Sequence, residues 1–242
     1  MRIGEKLLGQ FYPTYIVAEA GTSHAGSCDA ALHMTELAAT RGADAIKFQA
    51  FVPEEPLFCP WPGDGDRMER WGESALTLAE WSVVKSAADV HGIDLLLSAF
   101  QPIVVSWVKT LDLLAYKVAS RAAMKFPYEA VPGPFIISTG TMRPEHWRTV
   151  QDRMAAKGRI FLQCKMDYPH DPMPWSAFYG GLSDHSGTIW PAVDAIVRGA
   201  GLIEVHVGFG DQNANDEAVS ITPEELGFLC EARDVFAVMR PG

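Results

Sequence analysis

Apolar residues in this chain come in short, nearly unbroken runs that close on small or polar residues. They are YIVAEAG at 15–21, DAIKFQA at 44–50, DLLLSAF at 94–100, LLAYKVAS at 113–120, PFIISTG at 134–140, RIFLQCK at 159–165, GGLSDHS at 180–186 and LIEVHVG at 202–208. Runs of this length without polar alternation suit strands buried on both faces, as in a parallel sheet. Between several of them the pattern turns helical, in CDAALHMTELAATRG (28–42), LTLAEWSVVKSAADVHG (76–92), RPEHWRTVQDRMAAKG (143–158) and WPAVDAIVRGAG (190–201), with glycine as the C-terminal stop. Strand and helix in alternation, with eight strands, predict an α/β fold of the closed (β/α)8 TIM-barrel type, one domain over 1–242. Residues 1–14 read as an N-terminal hairpin, and the proline-rich stretch 51–77 as a long loop, either a lid or binding element or a mobile segment. The connections 121–133 and 166–179 are short or broken by proline, so no helix is expected there. A last helix starts after Thr222, a plausible N-cap, with Glu224 and Glu225 in its first turn.

Composition narrows the functions. At 48% hydrophobic and 21% charged, the 242 residues can bury a sizeable core and are not a disordered chain. The net charge of −10, from 30 acidic and 20 basic residues spread along the sequence, argues against a nucleic-acid polymer or an anionic membrane as partner. An anionic substrate would therefore need a local basic pocket. The cysteines at 28, 59, 164 and 230 form no CxxC pair, and no basic and apolar leader opens the chain, which predicts a reduced, cytoplasmic protein. The apolar runs also fall short of the roughly 20 residues that a membrane helix needs.

In such a barrel chemistry gathers at the C-terminal ends of the strands. Those ends carry Glu19, Lys47, Gln49, Ser98, Lys117, Ser120, Ser138, Thr139, Lys165, Asp184, His185, Glu204 and His206. His185 and His206 close the seventh and eighth strands, neighbours about 4.8 Å apart in a closed ring, so two inward imidazoles can share one cation. Glu204 lies on the same strand face as His206. Imidazole with carboxylate suits manganese, iron, cobalt or zinc without choosing among them. Lys47 and Lys117 with Ser98, Ser120 and Ser138 offer ammonium and hydroxyl groups for a phosphate and a carboxylate; alternatively one lysine forms an imine, as in barrel aldolases. Each serine taken singly fits a strand-end hydrogen bond equally well. His24 either orients substrate or caps its loop. His33, His91 and His146 receive no role, and the cysteines read as small core residues.

Six segments carry a resemblance. YIVAEAGTSHAG resembles the AEIGxNHxG motif of the sialic acid synthase family, GADAIKFQAF is similar to its GADAVKFQ, and AYKVAS, IISTG, LSDHSG and IEVHV follow in the family's order. The resemblance implies a synthase that uses a divalent metal, manganese first with magnesium, cobalt, iron or zinc as alternatives, and condenses phosphoenolpyruvate with a sugar-like aldehyde acceptor. It implies Lys47 on the phosphoenolpyruvate carboxylate, and Ser98, Lys117, Ser120, Ser138 and Ser183 around its phosphate or carboxylate. His185 and His206 would hold the metal, Glu19 and Glu204 would act as acid, base or water-orienting groups, and Tyr168 and Asp216 would meet the acceptor. The departures are Ala122 for the glutamate of AS-x-E, Met166 for an asparagine, Val205 for the lysine of EKHF, and LSAFQ for STPFD. They imply a retained phosphoenolpyruvate half and a rewritten sugar half, so N-acetylmannosamine is not the expected acceptor. The family's antifreeze-like domain has no expected counterpart in the sequence; a separately encoded partner domain would supply its arginine, and a homodimer is the other expected assembly. A metal-independent imine-forming aldolase and a non-catalytic anion-binding barrel are the competing expectations.

Overall fold

The computed structural model describes residues 1–154, 156–210 and 216–239. Ala155, inside the third helical stretch, and residues 211–215 and 240–242 of the expected domain lie outside the described residues. Strands β1 (Arg2–Ile3) and β2 (Lys6–Leu7) form a small antiparallel hairpin. The chain then runs through β3 (Tyr15–Gly21), α1 (Cys28–Thr40), β4 (Ala45–Ala50), α2 (Gly65–Glu73), α3 (Leu78–His91), β5 (Asp94–Ala99), α4 (Pro102–Thr110), β6 (Tyr116–Val118) and β7 (Phe135–Ser138). It continues with α5 (Pro144–Met154), β8 (Arg159–Cys164), β9 (Gly181–Asp184), α6 (Trp190–Val197), β10 (Leu202–Val207), β11 (Ser220–Ile221) and α7 (Pro223–Met239). Strands β3 to β10 pair in parallel in chain order, and β10 pairs with both β9 and β3, which closes the eight-stranded barrel. β11 adds beside β10 outside the ring.

Side-chain alternation along the strands layers the barrel interior. Val17, Ala45, Leu96, Ala115, Ile136, Leu162 and Leu202 fill the lower interior, and the hairpin's Ile3 and Leu8 seal it from below. Two residues further along the same strands stand Glu19, Lys47, Ser98, Lys117, Ser138, Cys164 and Glu204. An apolar plug thus carries a polar layer directly above it. The intervening residues, among them Ile16, Ala18, Ile46, Phe48, Leu95, Leu97 and Ile203, face outward into the core beneath the helices. Within the described residues no helix is long and apolar enough to cross a membrane.

The helix ends follow local chemistry. Ser27 caps α1 by accepting from the Ala30 amide; Thr77 and Glu80 form a reciprocal capping box at α3, which ends on left-handed Gly92. Thr222 caps α7, its hydroxyl accepting from the Glu225 amide at 3.2 Å. The connections 121–133 and 166–179 hold no α-helix, as expected. Two helices depart from the expectation. The stretch 51–77 is not loop throughout but contains α2, and α4 occupies 102–110, a stretch to which the sequence pattern assigned no element.

Candidate active site

The polar layer is a web of opposite charges. The Lys47 ammonium contacts Glu19 Oε2, donates to Ser98 Oγ at 2.9 Å and lies 3.8 Å from Glu204 Oε2. Lys117 donates to Ser138 Oγ at 3.0 Å and sits 3.4 Å from Glu204 Oε1, which also accepts from Ser183 Oγ at 2.9 Å. All these side chains are buried. Burial pushes Glu19 up to about 7, with the attraction of Lys47 only partly opposing it. Burial pushes Glu204 the same way, but Lys117, Lys47 and the Ser183 hydroxyl overcome it and hold that carboxyl below its ordinary value. The ammonium of Lys117 is lowered by burial, whereas in Lys47 the carboxylates of Glu19 and Glu204 outweigh burial and raise it. Two equally buried carboxyls therefore differ in proton affinity, the arrangement that separates acid from base.

Beside this web His185 and His206 face one another, with ring centroids 5.2 Å apart. Burial lowers His185 to about 4 and His206 well below its ordinary value, so both rings are neutral at neutral pH. His185 Nδ1 lies 2.8 Å from the Lys165 carbonyl, which takes its N–H and leaves the Nε2 lone pair free to accept. His206 Nδ1 lies 3.5 Å from Asp216 Oδ2 in the same sense. The Tyr168 hydroxyl stands between the rings, 2.8 Å from His185 Nε2 and 3.5 Å from His206 Nε2. Two neutral nitrogens converging on one point fit an open cation site with exchangeable remaining positions. No third His, Cys, Asp or Glu among the described residues completes a cluster. Glu204 turns to the lysines rather than to this point, and Asp216 stands where the sequence would have put a carboxylate of β10.

These groups line a cavity of about 500 Å³ at the C-terminal ends of the strands. It collects Glu19, Lys47, Ser98, Lys117, Ser120, Ser138, Tyr168, Ser183, His185, Glu204, His206 and Asp216, the residues given substrate, metal or acid–base roles; of the other strand-end residues Gln49 also lines it, whereas Thr139, Lys165 and Asp184 do not. Ser120 is also tied locally, accepting from the Thr141 amide at 2.6 Å. His24 is not among the lining residues; it packs edge-on against Phe48 and Trp81, and its Nδ1 accepts from the Gly26 amide at 3.3 Å, so it caps its loop. Cys164 corrects the reading of the cysteines as core, because it stands in the polar layer and lines the cavity. The departures fall into place as well. Ala122 and Val205 point into the outer core, while Met166 lines the mouth.

Sequence reasoning missed the rim. Trp61, Arg67, Arg70 and Trp71 reach it from the 51–77 segment, and Arg121 from the turn after β6. Arg121 grips Asp64 with two nitrogens at 3.1 and 2.5 Å, donates to the Cys59 carbonyl at 2.7 Å and lies 4.3 Å over the Trp61 ring. The mixed charges of GDGDRMERWG give no local sign of this docking; only the basic residue that follows Ala119 and Ser120 after β6 hints at it.

The NeuB family model matches residues 34–240. Pseudaminic acid synthase of Campylobacter jejuni is 30% identical over 220 residues, 79% of this chain and 64% of that one. Spore coat polysaccharide biosynthesis protein SpsE of Bacillus subtilis is 30% identical over 268 residues, covering 93% of this chain and 68% of that protein. The crystal structure of N-acetylneuraminic acid (sialic acid) synthetase from Leptospira borgpetersenii, in complex with citrate, superposes with a TM-score of 0.88 at 24% identity, over 100% of this chain and 92% of that one, a likeness of fold. With the family match spanning most of the chain, over the barrel that builds this cavity, the protein belongs to the NeuB family.

Proposed function

We propose that the chain is a metal-dependent synthase that condenses phosphoenolpyruvate with a sugar-like aldehyde to give a 3-deoxy-2-keto acid and phosphate. The observation that carries this reading is a hydroxyl-rimmed pair of buried ammonium groups beside two converging neutral imidazoles in one cavity. The names of the relatives, pseudaminic acid synthase and N,N'-diacetyllegionaminic acid synthase among them, support the same chemistry.

Lys47 and Lys117 bind the carboxylate and phosphate, with Ser98, Ser138, Ser183 and Ser120 donating to the remaining oxygens. Carbon 3 of phosphoenolpyruvate forms a bond to the aldehyde carbon, water adds at carbon 2, and the carbon 2–oxygen bond to phosphate then breaks. Glu204, held ionised by the lysines, takes the proton of the adding water. Glu19, protonated below about 7, gives one to the acceptor oxygen. Tyr168 and Asp216 orient the acceptor from the rim. His185 and His206 would hold the divalent ion, manganese or alternatively magnesium, cobalt, iron or zinc, which polarises the aldehyde when bound.

The test is phosphate release from phosphoenolpyruvate across a panel of aldoses and sugar phosphates, with manganese or with chelator. Release that requires both aldehyde and metal is expected. His206→Ala is expected to lower it by roughly a hundredfold or more through lost metal affinity, while His33→Ala, on the exposed face of α1, leaves it intact. The burial that lowers Lys117 favours one second reading, an imine-forming aldolase. Borohydride trapping of a keto acid on the protein, with activity indifferent to chelator, would replace the synthase reading by that one.

A further inference from the structure

We propose that α2 is a specificity element in which Arg67 and Arg70 select an acceptor aldehyde bearing an anionic group, phosphate or carboxylate, at its end distant from the aldehyde. The inference rests on the synthase reading above and names its acceptor class.

It begins with how α2 divides its charges. At 100° per residue Asp66, Glu69 and Glu73 cluster on one arc of the helix, Arg67 and Trp71 lie well away from it, and Arg70 stands at its edge, about 40° from Asp66 and about 60° from Arg67. Of the charged residues of α2 only the two arginines line the cavity, so the wall that this helix presents to a ligand is cationic.

The next question is which cations are free to meet a ligand. Deeper in the cavity Lys47 and Lys117 are taken up by phosphoenolpyruvate in the synthase reading and also face Glu19 and Glu204, so neither is left for the acceptor. At the rim Arg121 is consumed by Asp64 and the Cys59 carbonyl. Arg67 approaches a carboxylate no closer than 3.9 Å, and that carboxylate is the same Asp64. Arg67 shares Asp64 with Arg121 and opposes the burial that raises Asp216, and Arg70 forms no ion pair with a described residue, so the two keep cationic capacity for an anionic ligand on the cavity wall.

The helix that carries the pair is held in place. Trp71 stacks on Phe51 with centroids 3.9 Å apart, and Phe100 packs 5.1 Å from Phe51. The Arg121–Asp64 clamp fixes the turn into α2 from the other side. Guanidinium groups on a docked element lose less freedom on binding than groups on a free loop. The cavity, about 500 Å³, lies within the range of about 300–1,000 Å³ that encloses drug-sized ligands, room for a second molecule beside a three-carbon acid. An acceptor whose aldehyde lies near His185 and His206 would pass Asp216, which suits hydroxyl groups, and direct its far end toward α2.

The test is steady-state phosphate release by the intact protein, loaded with manganese, using matched acceptors: an aldohexose, its 6-phosphate and the corresponding hexuronic acid, and an aldopentose with its 5-phosphate. The expected kcat/KM is roughly tenfold or more higher for anionic members than for neutral ones, as charge-assisted pairs provide. In R67Q/R70Q the anionic-to-neutral ratio is expected to fall by about the same factor, through acceptor KM more than phosphoenolpyruvate KM, and in R67K/R70K by less. Both arginines are exposed, so melting temperature serves as a control for folding. The phosphate and uronate arms distinguish the two anion types. Equal use of neutral and anionic acceptors, or variants that raise only the phosphoenolpyruvate KM, overturns the inference and leaves the synthase reading standing. Absence of phosphate release with every aldehyde overturns the synthase reading and the inference with it.

Discussion

Glu19 and Glu204 are side chains of one type, on adjacent strands and equally buried, yet they hold protons differently because Lys117 and Ser183 contact Glu204 directly, while Lys117 acts on Glu19 only as the weakest of its influences. A raised carboxyl has a signature in stability. Between its ordinary 4.5 and about 7 the folded protein binds a proton at Glu19 that the unfolded chain releases. Stability therefore falls as pH rises through that window, by up to about 3 kcal/mol. Glu19→Gln lacks this titration, so the difference in unfolding free energy between variant and wild type should drift in the variant's favour from pH 4.5 to 7. Denaturant melts at four or five pH values measure it, and a flat difference would mean that Lys47 keeps Glu19 ionised. The polar layer was legible in sequence because alternation places it two residues beyond the apolar one, as Leu202 and Glu204 or Leu96 and Ser98 illustrate. Partner choice was not legible. Glu204 pairing with lysines, and Asp216 with His206, depends on angles around the ring that strand order alone leaves open.

At the scale of elements, legibility followed the strength of local signals. The capping boxes at Thr77 and Thr222 and the glycine stop at Gly92 mark helices that occur where their patterns place them. Thr77→Ala should cost about 1 kcal/mol of stability and leave phosphate release unchanged, since α3 packs on α1 away from the cavity. α4 escaped notice because Ile103, Val104 and Val105 are β-branched and apolar, like the strands around them, and only Pro102 at its start signals helix. α2 was hidden for the opposite reason. It follows a proline- and glycine-rich segment, carries few apolar residues, and owes its position to Trp71 and to the Arg121–Asp64 contact made 57 residues away. The rim arginines travel with α2, so missing the helix meant missing them.

At the scale of the molecule the ring closes where β9 meets β10, and Gly181 sits at that seam. A Cβ there would lie 2.3 Å from the Leu202 carbonyl oxygen and 2.7 Å from the Leu162 side chain. Gly181→Ala should therefore force the strands apart, costing about 1–3 kcal/mol and lowering the melting temperature by several degrees. A variant as stable as the parent would show that the seam has slack. Barrel closure was foreseeable from eight runs in sequence, whereas the tightness of the seam was visible only in coordinates. The same seam governs when the protein acquires its chemistry. Glu19 belongs to the first strand of the ring and Glu204 to the last, yet both reach the same Lys47 ammonium. During synthesis, a chain that has emerged only as far as β9 would hold two bare strand edges and a pair of lysines facing a lone carboxyl. Arrival of the eighth strand removes both edges and supplies the missing negative charge together, so the reaction centre comes into being only as the cylinder shuts.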